Sequence, residues 1–105
     1  MTTSEAPNEI FRAKINLETS KIEWKELQRF FAGGKALMAS ADLDLVDVAF
    51  QMSKDNVEQI RQWAAAGKLV HVPDEQARQW AETDALVWAV VVSPWVLVQP
   101  LARLH

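Results

Sequence analysis

The chain has 105 residues, of which half are apolar and 24% are charged, with a net charge of −3 and no cysteine. This length and composition predict one globular domain with its own hydrophobic core. The lack of cysteine excludes disulfides, thiolate zinc sites and a thiol nucleophile, and it suits a reducing cytoplasm. The net negative charge gives no general attraction to nucleic-acid phosphates.

Two segments bear on localisation. The N-terminus, MTTSEAPNEI, is polar and acidic and has no apolar core, so it is not a secretory signal. The nearly uncharged run ALVWAVVVSPWVLV, residues 85–98, has 14 residues and a central proline, which is too short for a spanning helix. We therefore expect a cytoplasmic protein that does not bind a membrane.

The N-terminal part is predicted to be helical. Residues 1–7 are expected to form a disordered tail, and residues 8–105 a single α+β domain. After Asn8, a plausible N-cap, the spacing of Ile10, Ala13 and Leu17 predicts an amphipathic helix whose core-facing side carries these residues.

A second helix, over residues 22–32, is predicted to turn Leu27, Phe30 and Phe31 inward and to end at Gly33-Gly34. KALMAS, residues 35–40, then reads as a short strand.

The middle of the chain predicts two consecutive helices. LVDVAFQMS follows Asp42 and Asp44, either of which can cap it. VEQIRQWAAAG follows a polar turn and ends at Gly67.

The remainder predicts strands around one short helix. LVHV, residues 69–72, is a brief strand, and residues 73–82 form a helix with acidic residues in its first turn. Val90–Val92 and Trp95–Val98 are predicted strands divided by Pro94, which implies a bend, a bulge or an edge position.

From the second helix onward, this order of elements matches a winged helix-turn-helix. The predicted fold class is α+β, with a winged-helix-like helical core, a small antiparallel sheet of about three strands and an extra N-terminal helix. In this interpretation residues 73–84 are inserted into the wing.

Three stretches carry a family resemblance: INLETSKIEWKELQRFFAGGK from Ile15, LDLVDVA from Leu43, and PWVLVQ from Pro94. With them the chain resembles the bacterial family known as domain of unknown function 2288. The resemblance covers most of the chain from Ile15 to Gln99. It implies a small cytoplasmic protein but no assigned activity, cofactor or site, so it transfers no functional residue.

The residue types that carry chemistry occur in patterns that favour structural roles. His71 is expected on the strand face opposite Val70 and Val72, and no second ligand stands at metal-binding spacing from it. The acidic residues cluster at helix starts, where capping and the helix dipole explain them. Gly33-Gly34-Lys35 follows a helix and precedes a strand, the reverse of a phosphate-binding loop. We predict no catalytic residue, metal or cofactor, and hence a protein that is not an enzyme.

Five tryptophans are many for this length, and they suit either core packing or an interface. Trp88 and Trp95 lie in residues 85–102, which carry no formal charge, so they are the candidates for an exposed apolar surface. The favoured hypothesis is a protein-interaction domain that binds an unknown partner or a second copy through this region. A small-molecule pocket lined by tryptophans is a more distant alternative.

The second hypothesis is a nucleic-acid-binding regulator. The second helix of the helix-turn-helix unit would offer Asn56, Gln59, Arg61 and Gln62 to base edges. Against this, residues 35–68 carry four cationic and five acidic side chains, too few cations to contact phosphates. Charge therefore disfavours nucleic acid.

Overall fold

The computed structural model describes residues 5–101, with side chains from Asn8 onward. Residues 1–4 of the expected N-terminal tail lie outside the described residues, and the first helix begins at Glu5. Pro7 is tolerated there because the first helical N–H groups have no intrahelical acceptor. The elements in chain order are α1 (Glu5–Glu18), β1 (Ser20–Glu23), a 3₁₀ turn (Trp24–Leu27), α2 (Gln28–Ala32), β2 (Ala36–Ala39), α3 (Leu45–Ser53), α4 (Val57–Ala65), β3 (Leu69–His71), α5 (Asp74–Glu82), β4 (Leu86–Val92) and β5 (Trp95–Pro100).

The five strands form one mixed sheet in the order β1-β4-β5-β2-β3. β4 and β5 form an antiparallel hairpin that turns at Ser93-Pro94, which is the bend predicted at this proline. β1 adds antiparallel to β4, and β3 adds antiparallel to β2. β2 runs parallel to β5, with Met38 opposite Val98. The α+β class is thus confirmed, whereas the expectation of about three strands, all antiparallel, is wrong.

The strand that the sequence did not predict is β1. Residues 22–32 were expected to be one helix, but Ile22 and Glu23 extend a strand that pairs with β4, and the helical turns begin at Trp24. The Trp24 N–H donates to the carbonyl of Ala85, 2.9 Å away, and so continues the pairing to the end of the strand. Tertiary pairing overrides a helical pattern here.

The position of β3 in the sheet also differs from the winged-helix prediction, in which β3 and the C-terminal strands, here β4 and β5, form the wing of one antiparallel sheet. The order α2-β2-α3-α4-β3 is present, but among the described residues β3 pairs with β2 and not with the β4–β5 hairpin. α5 intervenes between β3 and β4.

Both faces of the sheet are covered by helices, and the core has two parts. The side that carries Trp24 and Trp80, here called the α5 face, packs against the 3₁₀ turn, α2 and α5. The opposite side, here called the α3 face, packs against α1, α3 and α4. Val96, Leu97 and Val98 are fully buried although they alternate between the faces. Coverage on both sides explains why the C-terminal strands carry no charge.

Helix starts follow the predicted capping pattern. The Asp44 carboxylate accepts from the Val46 N–H at 3.0 Å, so Asp44 and not Asp42 caps α3. Gly34 and Gly67 follow α2 and α4 with positive φ angles of 73° and 74°, as expected of glycines at helix ends. Within residues 5–101 no helix has the length and apolar character needed to cross a membrane.

Candidate interaction surfaces

Trp88 is half-buried on the α3 face, where its strand partner is Gln99. The Lys21 ammonium lies 5.3 Å from the centre of its ring. The indole borders a shallow depression between the end of α1 and the start of α3, together with Asn16 and Asp44. A cation over the ring is a favourable arrangement that already occupies one side of this tryptophan.

Trp95 is half-buried at the other end of the same face. Its ring meets the His71 imidazole edge-on, with centroids 6.2 Å apart, and the Lys35 ammonium lies 5.1 Å from its centre. His71 is exposed on this face while Val72 is buried on the other, which is the alternation predicted from the sequence. The side chains around Trp95 therefore form a small mixed cluster of aromatic and cationic groups.

The structure does not bring the two tryptophans together. Trp95 pairs with Val92, four residues along β4 from Trp88, a separation of roughly 13 Å along the strand. Val90 and Leu97 lie between them and are 2% and 0% exposed, because α3 covers this row. The candidate residues Trp88 and Trp95 thus border separate small clusters and not one apolar patch.

The other tryptophans contribute to the core. Trp24 and Trp80 are 1% and 8% exposed and pack against each other on the α5 face with ring centres 5.1 Å apart. The Trp24 indole N–H is buried and has no hydrogen-bond acceptor among the described residues. Among the described residues, the surface depressions bordered by Trp24, Trp80 or Trp88 each include a single tryptophan. None of these depressions is the pocket lined by several tryptophans that the sequence left open.

Helix α1 presents an apolar surface that the sequence assigned to the core. Ile10, Ala13 and Leu17, here called the α1 stripe, face outward: Ile10 is 70% and Leu17 84% exposed. The inward side of α1 carries Phe11 and Ile15, of which Ile15 is 6% exposed. The prediction that the α1 stripe packs inward is therefore wrong. The helix has two apolar stripes, and the one that carries Phe11 and Ile15 packs against α3 and the sheet.

Contacts with α3 fix this orientation of α1. The Phe11 and Phe50 rings lie 6.0 Å apart between centres. Arg12 donates to the Asp47 carboxylate at 2.8 Å, and its guanidinium carbon lies 4.2 Å from the centre of the Phe50 ring. An ion pair, a cation–π contact and an aromatic pair thus hold one side of α1 against α3 and leave the α1 stripe in solvent.

The surface of α4 was the candidate for base contacts. The Asn56 side chain is engaged at the helix start: its Oδ1 accepts from the Gln59 backbone N–H at 3.3 Å, and its Nδ2 donates to the Gln51 side chain at 2.7 Å. The Arg61 and Gln62 side chains are exposed, as a recognition helix would require, whereas Gln59 is half-buried. Glu58 lines the same groove as Arg61 and Gln62, so the surface is not basic.

The acidic side chains near α3 have structural partners. Asp42 accepts hydrogen bonds from Lys68, at 2.7 Å, and from Ser40. These two donors lower the pKa of Asp42 from 3.8 to about 2. Asp44 caps α3 and Asp47 pairs with Arg12. In the part of the chain that the structure describes, no group of three or more metal-binding side chains comes together.

Comparison with known proteins adds a family and one solved structure. The family model described as "Protein of unknown function (DUF2288)" matches residues 10–100. The comparison with curated proteins found no match. The chain is similar to the solution NMR structure of PA1075 from Pseudomonas aeruginosa, with 40% sequence identity and a TM-score of 0.78, over 100% of this chain and 99% of that one.

Proposed function

The chain belongs to the family described as "Protein of unknown function (DUF2288)". Since that family has no assigned function, the proposal rests on the structure: we propose that the chain is a non-enzymatic interaction domain that binds a protein partner through the α1 stripe.

The exposure of the α1 stripe carries this proposal. Two large aliphatic side chains on one helix, 70% and 84% exposed, lie one above the other with Ala13 between them. An amphipathic helix that enters a groove or pairs with another helix is anchored by residues at positions i, i+3 and i+7, which is the spacing of Ile10, Ala13 and Leu17. Single exposed aliphatic residues are ordinary, but an aligned row of them marks a contact surface.

The α1 stripe supports a partner better than the C-terminal strands do. β4 and β5 are the second and third strands of the five-stranded sheet, and helices cover both faces apart from Leu86 and Val91, which are 46% and 59% exposed at separate places on β4. Trp88 and Trp95 are half-buried, separated, and each in contact with a lysine. Helix α1 is held by one side only, and its other side faces solvent.

Site-specific photo-crosslinking in the cells that produce the protein tests the proposal. A photoreactive apolar residue replaces Leu17, and in a control chain it replaces Lys25, which is 65% exposed on the 3₁₀ turn. We expect adducts from position 17 that Ile10→Glu abolishes, and none from position 25. Equal labelling at both positions, or none at position 17, would show that the α1 stripe is not a docking surface.

A further inference from the structure

The α1 stripe has the spacing of a coiled-coil seam. Ile10, Ala13 and Leu17 are separated by three and then four residues, which is the a–d–a pattern of a heptad repeat. All three are exposed on a regular helix of 14 residues. Such a seam pairs with a second helix that presents an equivalent row, because each side chain inserts between four on the partner.

The charges beside the seam select the partner and its direction. Glu9 directly precedes Ile10 and so occupies a g position, whereas Lys14 directly follows Ala13 and occupies an e position on the other flank. Both are exposed, and among residues 5–101 neither forms an ion pair.

The five-residue offset from Glu9 to Lys14 is the offset between g and the following e position, which face each other across a parallel pair of helices. Two copies of α1 side by side and parallel would therefore place each Glu9 opposite the other chain's Lys14. An antiparallel pair would bring the two glutamates to the same flank and the two lysines to the other.

We propose that the occupant of the α1 stripe is a second copy of this chain, paired with the first through parallel α1 helices about a two-fold axis. This inference rests on the proposed function, since it names the partner of the same surface. A two-fold contact is self-complementary, and the α1 stripe with its flanking charges meets that requirement.

The size of the surface sets the strength of the pair. One helix of 14 residues supplies it, so the buried area stays below the ~800 Å² per partner of a standard interface. Ala13 in the middle of the seam allows close approach of the two helices but adds little apolar area. We therefore expect a reversible dimer with a dissociation constant on the order of 10–100 μM, in the range of weak, transient complexes.

Sedimentation equilibrium over a concentration series from a few micromolar to several hundred micromolar measures this dimer. Leu17→Glu is expected to give a monomer throughout, while Gln28→Glu, which adds the same charge at an exposed position on another surface, should leave the equilibrium unchanged. Glu9→Lys and Lys14→Glu should each weaken the dimer about tenfold, and the double variant should restore it.

Single cysteines test the direction, because the chain has no other cysteine to compete. In a parallel pair, Ile10→Cys and Leu17→Cys each form a disulfide with the same position of the second chain, since the Cα atoms of a shared layer lie within the 4.4–6.8 Å that a disulfide needs. In an antiparallel pair the a positions of one chain share layers with the d positions of the other, so neither variant links to itself and only a mixture with Ala13→Cys becomes linked.

The outcomes are distinct. Concentration-dependent dimers with self-linked single-cysteine variants support the inference, and linkage in the mixture alone overturns it. A monomer at every concentration also overturns it. If position 17 then still gives photo-crosslinked adducts to a different protein in cells, the proposed function stands without self-association. If position 17 gives no adduct either, both fail.

Discussion

The orientation of α1 predicts that two isoleucines on one helix differ sharply in their contribution to stability. Ile15 is 6% exposed and packs with the core of the α3 face, whereas Ile10 is 70% exposed. Ile15→Ala and Ile10→Ala make the same chemical change on the same helix. The difference in helix propensity between isoleucine and alanine therefore cancels between the two variants.

The expected magnitudes follow from burial. Ile15→Ala removes three buried carbons, at about 0.8 kcal/mol each, and leaves a cavity, so it should cost about 2–4 kcal/mol of unfolding free energy. Ile10→Ala removes mostly solvated carbons and should change stability by no more than about 0.5 kcal/mol. With a urea slope of about 2 kcal/mol per molar, the midpoint for Ile15→Ala should fall by roughly 1–2 M and that for Ile10→Ala should hardly move.

Urea unfolding followed by tryptophan fluorescence is the assay, at a protein concentration of about 1 μM, where a weak dimer is dissociated. If Ile15→Ala does not fold, the pair Ile15→Val and Ile10→Val asks the same question at an expected cost of about 0.5–1.5 kcal/mol for the buried position. Equal losses at both positions, or a larger loss at Ile10, would refute the orientation of α1 and with it the exposed stripe.

Three further results are expected. The Gln99 amide donates to two carbonyls of the β2–α3 connection at 2.8 Å each, so Gln99→Leu should cost about 1–3 kcal/mol in urea unfolding while the exposed Gln79→Leu costs almost nothing. Because the pKa of Asp42 is lowered to about 2, its ion pair with Lys68 contributes stability above about pH 4 that is lost as the pH falls toward 2. In the Lys68→Met variant, carbon-detected NMR should show the Asp42 carboxyl titrating closer to 3.8. No duplex DNA binding is expected at low salt, and binding that salt weakens steeply and Arg61→Ala abolishes would instead support the winged-helix interpretation.

The strands were predictable where residue type alone decides. β-branched and aromatic runs marked Val90–Val92 and Trp95–Val98, and these lie within β4 and β5, although β4 begins four residues earlier at Leu86 and β5 continues to Pro100. β1 was not predictable, because Ser20–Glu23 has no alternation of its own and is a strand only because β4 lies beside it. The parallel pairing of β2 with β5 was also not predictable from the sequence, because these strands are separated in the chain by α3, α4, β3, α5 and β4, and no local pattern indicates that they pair.

The candidate surface was missed because the sequence offers two helical stripes on α1 and does not rank them. Ile10, Ala13 and Leu17 satisfy the periodicity of a buried face as well as Phe11 and Ile15 do. Which stripe packs inward is determined by α3, because Phe50 on α3 contacts Phe11. That contact joins residues 39 positions apart, so no window along α1 contains it.

An uncharged segment and an exposed apolar surface are different things, and this chain separates them. The hairpin of β4 and β5 lies at the centre of the sheet, and most of its side chains are covered on both faces, with Leu86 and Val91 the exposed exceptions among its large apolar residues. This coverage explains why the hairpin lacks charge. A helix packed on one side keeps charged residues at its flanks, so α1 looks polar in composition while Ile10 and Leu17 remain in solvent. The charges beside those residues are what a docking helix uses to choose its partner and direction. A partner surface is therefore better sought on a helix around which apolar and charged residues alternate than in the longest uncharged segment of the sequence.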